Sequence, residues 1–299
     1  AGRACAAAGS GGRMSTQPQQ SGLRIDAHQH FWRLSRGDYS WLTPQLAPLW
    51  RDFEPEHLRP LLDRYQIAGT IAVQAADTLE ESMHLLALAA EHDWILGVVG
   101  WADFRSPAAV EQIETLRRHG KLVGLRPMLQ DLEEEWILDA RCRAALEHME
   151  RTGLVFDALV RPRHLPAIAR LAQRHPGLRV VIDHAAKPEL AAGARWPGWG
   201  AWREQMAALA DAGAWVKLSG MLTEARANAE ASDLSACIDA LRSHFGFERM
   251  LWGSDWPVLE LDADYSRWIT LTDQLLQECT PAERELVLGG NARRCYRLP

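Results

Sequence analysis

From residue 24 onward, short apolar, β-branched runs alternate with stretches whose apolar residues recur every three or four positions. The first pattern reads as buried strand and the second as amphipathic helix. Strands are predicted at 24–31, 69–74, 95–101, 122–126, 154–160, 178–184, 214–219 and 249–254. Helices are predicted to open at 54–58 and to cover 78–92, 108–118, 139–151, 164–174, 202–212, 234–245, 265–278 and 283–288. Local chemistry supports several boundaries. Ser106-Pro107 makes a cap and first-turn pair, Pro176-Gly177 stops a helix, and Thr280, Pro281 and Glu283 form a capping-box arrangement. The stretch 32–53, with three Trp and two Pro, has weak periodicity and reads as a long ordered loop, a feature that usually carries function.

Eight strands separated by helices predict an α/β fold, a (β/α)8 barrel with parallel strands and right-handed crossovers. An open doubly wound sheet would favour a Gly-rich phosphate turn after the first strand. A His-rich strand end stands there instead. Residues 1–22, rich in Ala, Gly, Ser and Gln, read as a tail, with Met14 a candidate alternative start. The single barrel domain is assigned to 23–299.

Composition narrows the function. Of 299 residues, 47% are hydrophobic and 24% charged, as in a globular protein that buries its own core. The net charge of −6 argues against a nucleic-acid surface. No apolar run reaches the length of a membrane span. Cys5, Cys142, Cys237, Cys279 and Cys295 are scattered and odd in number, which fits reduced thiols in a cytoplasmic enzyme. Thirteen Trp residues are unusual for this length; many must be core, and a surplus also suits a site that stacks on sugar or aromatic faces.

In a barrel the chemistry sits at the C-terminal ends of the strands. His28 and His30 lie on one face of the first strand, about 7 Å apart along it. Later strand ends carry Gln74, Trp101 with Asp103, Arg126, Asp157, Asp183-His184 followed by Lys187, Lys217 with Ser219, and Asp255-Trp256. Asp183 and His184 are neighbours, so strand alternation lets only one point inward, and His184 is the residue expected there. Asp255 reads as a base or ligand rather than a cap. Arg126 needs a carboxylate or a substrate oxygen, and a structural pair with Asp157 or Asp103 competes with substrate contact. Lys187 and Lys217 read equally as surface or ion-paired lysines.

Asp26-Ala27-His28-Gln29-His30-Phe31-Trp32, Leu125-Arg126-Pro127, Asp183-His184-Ala185-Ala186-Lys187-Pro188, Lys217-Leu218-Ser219-Gly220, Gly253-Ser254-Asp255-Trp256-Pro257 and the closing Gly289-Gly290-Asn291-Ala292-Arg293-Arg294 resemble the amidohydrolase superfamily. The resemblance is strongest to the amidohydrolase-2 branch that contains sugar lactonases of the L-fuconolactonase and L-rhamnonolactonase type. It implies a distorted barrel that hydrolyses a sugar-acid lactone. His28, His30, His184 and Asp255 would then be both the catalytic set and the ligands of at most one divalent metal, zinc, which some members do without. No bridging lysine stands on the fourth strand, where Arg126 occurs instead. Asp255 would activate water while the three histidines polarise the carbonyl. Arg126, Gln74, Asp157 and Lys187 would contact the substrate, with Trp32, Trp101 and Trp256 as apolar walls. A metal-dependent decarboxylase of the same barrel family is the alternative, and a non-catalytic binding barrel a weaker one. The partner expected is a small sugar lactone, with no nucleic acid or membrane. A homodimer is compatible with the sequence.

Overall fold

A computed structural model describes residues 24–299. The predicted tail and Met14 lie outside the described residues. The chain runs β1 (Arg24–Gln29), α1 (Pro55–Arg64), β2 (Ile67–Val73), α2 (Leu79–Glu91), β3 (Ile95–Gly100), α3 (Ala109–Arg117), β4 (Leu122–Leu125), α4 (Arg143–Thr152), β5 (Val155–Ala158), α5 (Leu165–Arg174), β6 (Val180–Ile182), α6 (Trp199–Asp211), β7 (Trp215–Leu218), α7 (Ala231–Phe245) and β8 (Met250–Trp252). It ends in α8 (Tyr265–Leu275), α9 (Pro281–Glu285) and α10 (Asn291–Tyr296). All seven successive strand pairs are parallel and the order is sequential, β1 to β8. This is the (β/α)8 barrel that the alternating pattern predicts.

Closure between β8 and β1 lies at the C-terminal rim. Asp255 N donates to His28 O at 2.8 Å and His30 N to Trp256 O at 2.7 Å. The buried Asp26 carboxylate staples the same seam, accepting from the Ser254 and His28 amides and from the Tyr265 hydroxyl. Gly253 is required here, because a Cβ would lie 2.7 Å from His28 Cβ.

Two apolar layers result. Large side chains such as Trp202, Trp252 and Phe156 fill the space between sheet and helices. Inside the barrel, Ile25, Ile71, Val99, Val155, Val181 and Leu251 meet Ala292, Cys295 and Tyr296 of α10, which plugs the end opposite the rim. The sequence pattern does not predict α10. Above this core the strands continue upward with polar residues, and these build the site.

Candidate active site

Three strand-end segments bring the histidines together. On β1, an extra residue between Asp26 and Gln29 makes a bulge against β2. His28 and His30 converge, Nε2 to Nε2 at 3.2 Å. His30 Nδ1 donates to Val73 O at 2.7 Å. After β6 the chain leaves the strand conformation. His184, Ala185, Ala186 and Lys187 take φ of 52°, 51°, 61° and 53° in succession. The predicted strand to 184 therefore stops at Ile182, and the either-or between Asp183 and His184 is corrected. Asp183 points inward from the strand end, and the left-handed turn swings His184 in as well. Its ring sits 4.5 Å from that of His28, with Nδ1 bonded to Ser219 Oγ at 2.9 Å. Asp255, itself at φ 59°, places Oδ1 at 3.2 Å from His30 Nε2, 3.6 Å from His28 Nε2 and 3.9 Å from His184 Nε2.

Burial sets the charge states. It drives the His28 and His30 rings below the ordinary imidazole value, Lys217 adding to the effect at His28, and it lowers His184 to about 4. All three are neutral at pH 7. Burial opposes ionisation of Asp255, yet the rings of His184, His30 and His28 hold it below the usual carboxylate range. An ionised carboxylate thus faces three neutral imidazoles.

Beneath them lies a wholly buried ionic layer. Lys217 Nζ reaches Asp157 Oδ2 at 2.5 Å, Asp183 Oδ1 at 3.0 Å and His28 Nδ1 at 3.1 Å. Tyr296 Oη donates to Asp157 at 2.8 Å. Arg126 Nη1 stands 3.4 Å from both Asp183 and His28, and its Nη2 donates to Gln74 O. The Gln74 amide returns a bond to Arg126 O at 2.6 Å.

Above the histidines opens a pocket at the barrel mouth. Its walls include His30, His184, Asp255, Arg126 and Lys187, with Trp41, Met128, Gln130, Leu159 and Val258 beside them. The structure places several of the residues expected to contact substrate away from this wall. Trp32 and Trp256 are core residues packed on Phe53, and half-buried Trp101 lies outside the pocket wall. Gln74 braces Arg126, and Asp157 is spent on Lys217 and Tyr296. His28 is wholly buried behind His30 and Asp255. The indole in the wall is Trp41, which the sequence gives no means of singling out among three Trp in one loop. Its Nε1 is anchored on Ala75 O at 2.7 Å. Arg126 pairs with Asp183 rather than with Asp157 or Asp103. Lys187 faces the pocket and lies 3.8 Å from Glu224.

The donor set fits a divalent cation. His28 Nε2, His30 Nε2 and Asp255 Oδ1 are 3.2–3.6 Å apart. Ligands around a tetrahedral zinc at about 2.0–2.1 Å lie roughly 3.3 Å from one another. Binding through His28 Nε2 requires its proton on Nδ1, where Asp183 Oδ1 at 3.5 Å can accept it.

A barrel with this constellation at its rim is an amidohydrolase. The amidohydrolase family profile matches residues 25–298, and the chain belongs to that family. It is 42% identical over 281 residues to the L-fucono-1,5-lactonase of Burkholderia ambifaria, covering 92% of this chain and 96% of the relative. It is 38% identical over 289 residues to the L-fucono-1,5-lactonase of Burkholderia multivorans, covering 93% and 97%. A crystal structure of a Burkholderia multivorans amidohydrolase with bound zinc superposes with a TM-score of 0.87 at 38% identity, covering 93% of this chain and all of that one.

Proposed function

We propose that the protein is a lactonase that opens a sugar-acid lactone of the L-fuconolactone type to the free acid. The observation that carries this is the Asp255 carboxylate, ringed by His28, His30 and His184 and open to the pocket at the barrel mouth. The relatives at 38–42% identity support the same reaction.

Asp255 takes a proton from a water held in the pocket, and that water attacks the lactone carbonyl. His30, His184 and Arg126, which face the pocket, stabilise the oxyanion, and His28 acts from behind. The tetrahedral intermediate collapses with cleavage of the ring C–O bond, and Asp255 returns the proton to the leaving hydroxyl. His28, His30, His184 and Asp255 are the residues we assign to hold one zinc ion, which when bound polarises the carbonyl and acidifies water. Lys187 reads a substrate hydroxyl, and Trp41 supplies the stacking face. The four described cysteines are free thiols, in keeping with a cytoplasmic enzyme of carbohydrate metabolism. Among the described residues no helix is long and apolar enough to cross a membrane. A decarboxylase is the second reading, and the lactonase relatives at 38–42% identity disfavour it.

A pH-indicator assay on a panel of sugar lactones, with and without a strong chelator, tests the reading. Acid release from L-fucono-1,5-lactone is the expected result. Survival of activity in chelator separates a metal-free from a zinc-assisted reaction. No release from any lactone, with carbon dioxide released from aromatic acids instead, would transfer the protein to the decarboxylases.

A further inference from the structure

The turn between β2 and α2 carries a helix-start signal that the structure uses for something else. Thr78-Leu79-Glu80-Glu81 reads as a capping box, in which the carboxylate reaches back to the backbone N–H of the cap. Half of the box is present, since Thr78 Oγ1 accepts from Glu81 N at 3.1 Å. The Glu81 side chain, wholly buried, passes the cap and takes two amides of the turn instead. Ala75 N donates to Oε1 at 2.9 Å and to Oε2 at 3.0 Å, and Ala76 N donates to Oε2 at 2.6 Å. Burial pushes this carboxyl up to about 8 against the pull of the two amides. The position therefore disfavours the charge, and what the residue supplies there is geometry.

The two amides belong to consecutive peptide units, and the other end of each unit holds a residue of the pocket. A trans peptide is planar, with N–H and C=O pointing opposite ways, so fixing one fixes the other. In the Gln74–Ala75 unit the N–H is on Glu81, and the carbonyl, Gln74 O, accepts from Arg126 Nη2. In the Ala75–Ala76 unit the N–H is again on Glu81, and the carbonyl, Ala75 O, accepts from Trp41 Nε1 at 2.7 Å. Arg126, Trp41 and Ala75 all line the pocket, while Glu81 stands behind it.

We propose that Glu81 is a positioning residue that aims two walls of the pocket at once: through Gln74 O it holds the guanidinium of Arg126, and through Ala75 O the indole of Trp41. The effect on turnover rests on the lactonase reading. Trp41 stacks on the bound sugar, so its displacement acts on KM. Arg126 meets charge that develops on the carbonyl oxygen in the transition state, so its displacement acts on kcat. A residue that only supported the fold would lower the melting temperature and leave both constants of the folded enzyme unchanged.

The test uses full-length protein with 15N-labelled tryptophan, the Trp41 indole being assigned from a Trp41→Phe sample. In the wild-type protein the Trp41 N–H is expected to exchange slowly with solvent, and rapid exchange there overturns the proposal. Glu81→Gln keeps the size of the side chain, but its NH2 faces one of the two amides and frees that peptide unit. Exchange at Trp41 is then expected to quicken about tenfold or more. The indoles of Trp202, Trp252 and Trp268, bonded elsewhere in the core, should keep their rates. Unchanged exchange at Trp41, or equal acceleration at all four, overturns the proposal. Glu81→Gln should also raise KM about fivefold and lower kcat about tenfold. Added to Trp41→Phe it should raise KM no further, because the bond through which it acts is already gone. Additive effects on KM overturn the relay through Ala75 O. If Glu81→Gln does not fold, Glu81→Asp, one methylene too short for both amides, should quicken Trp41 exchange in the same selective way, and a wild-type rate in it overturns the proposal. Wild-type protein inert toward every lactone sinks the functional reading alone, since exchange still decides whether Glu81 holds Trp41.

Discussion

Single residues carry the two sharpest expectations. Asp255 stands at φ 59°, a left-handed conformation that Asn tolerates nearly as well as Asp. Asp255→Asn therefore keeps the backbone and removes only the base. It is expected to cost about 10³-fold or more in kcat, with a melting temperature within a few degrees of wild type. Near-wild-type turnover would end the base assignment. The second expectation concerns acid. His184 has its folded value lowered to about 4 from an ordinary 6.5 by burial. The unfolded chain therefore binds its proton more readily, and the stability linked to this residue is complete above about 6.5 and is lost as pH falls toward 4. The neutral ring needed for catalysis persists over the same range, so activity should stay flat from neutrality to about pH 5 and fall near pH 4. A limb centred at 6.5 in a kcat profile would show His184 to be solvated. At this scale His28, His30, His184 and Asp255 were legible because imidazole and carboxylate at strand ends have few structural uses. Trp41 was not, since nothing in a Trp-rich loop tells which indole leaves the core.

Elements decide what those residues can reach. The turn after β6 places four non-glycine residues in the left-handed region, each costing roughly 1–2 kcal/mol, and no glycine in Asp183-His184-Ala185-Ala186-Lys187 announces it. Period-two alternation therefore misreads this segment, and the backbone reversal admits both Asp183 and His184 to the site. Ser219 and Gly220 complete the turn's setting from β7. Gly220 has φ 57°, and a Cβ there would lie 2.5 Å from His184 Nδ1 and 2.9 Å from Asp255 Oδ2. Gly220→Ala must move both groups. We expect it to cost about 1–3 kcal/mol in stability and to reduce kcat by more than that loss explains when assayed well below its melting temperature. A variant with normal kcat would mean that the His184–Asp255 spacing is not held by this contact. The 32–53 loop behaves as an element of its own. Paired Trp32–Phe53 backbone bonds close its neck and carry Trp41 to the pocket, an arrangement built from contacts too distant in sequence to read.

For the whole molecule, the barrel was legible from repetition alone, because eight strand-and-helix alternations admit few parallel topologies. Its floor was not. Asn291-Ala-Arg-Arg-Cys-Tyr is short and half polar, so no periodic signal marks α10, and its partners lie some forty or more residues away. Asn291 is wholly buried, and its amide donates to Phe247 O at 2.6 Å and to Met250 O at 2.7 Å, tying α10 to the start of β8. Asn291→Ala leaves two carbonyls without those bonds and vacates the amide's volume. The expected loss is about 2–4 kcal/mol, read as a lower urea midpoint at an unchanged slope. Because α10 also carries Tyr296 beneath Asp157, the loosened plug should depress kcat before global unfolding begins, and amide exchange should quicken first in residues 291–298. Stability within about 0.5 kcal/mol of wild type would show that α10 caps the barrel without bracing it. If kcat falls while exchange in the β-strands stays slow, the floor of the barrel is mechanically part of the site at its rim.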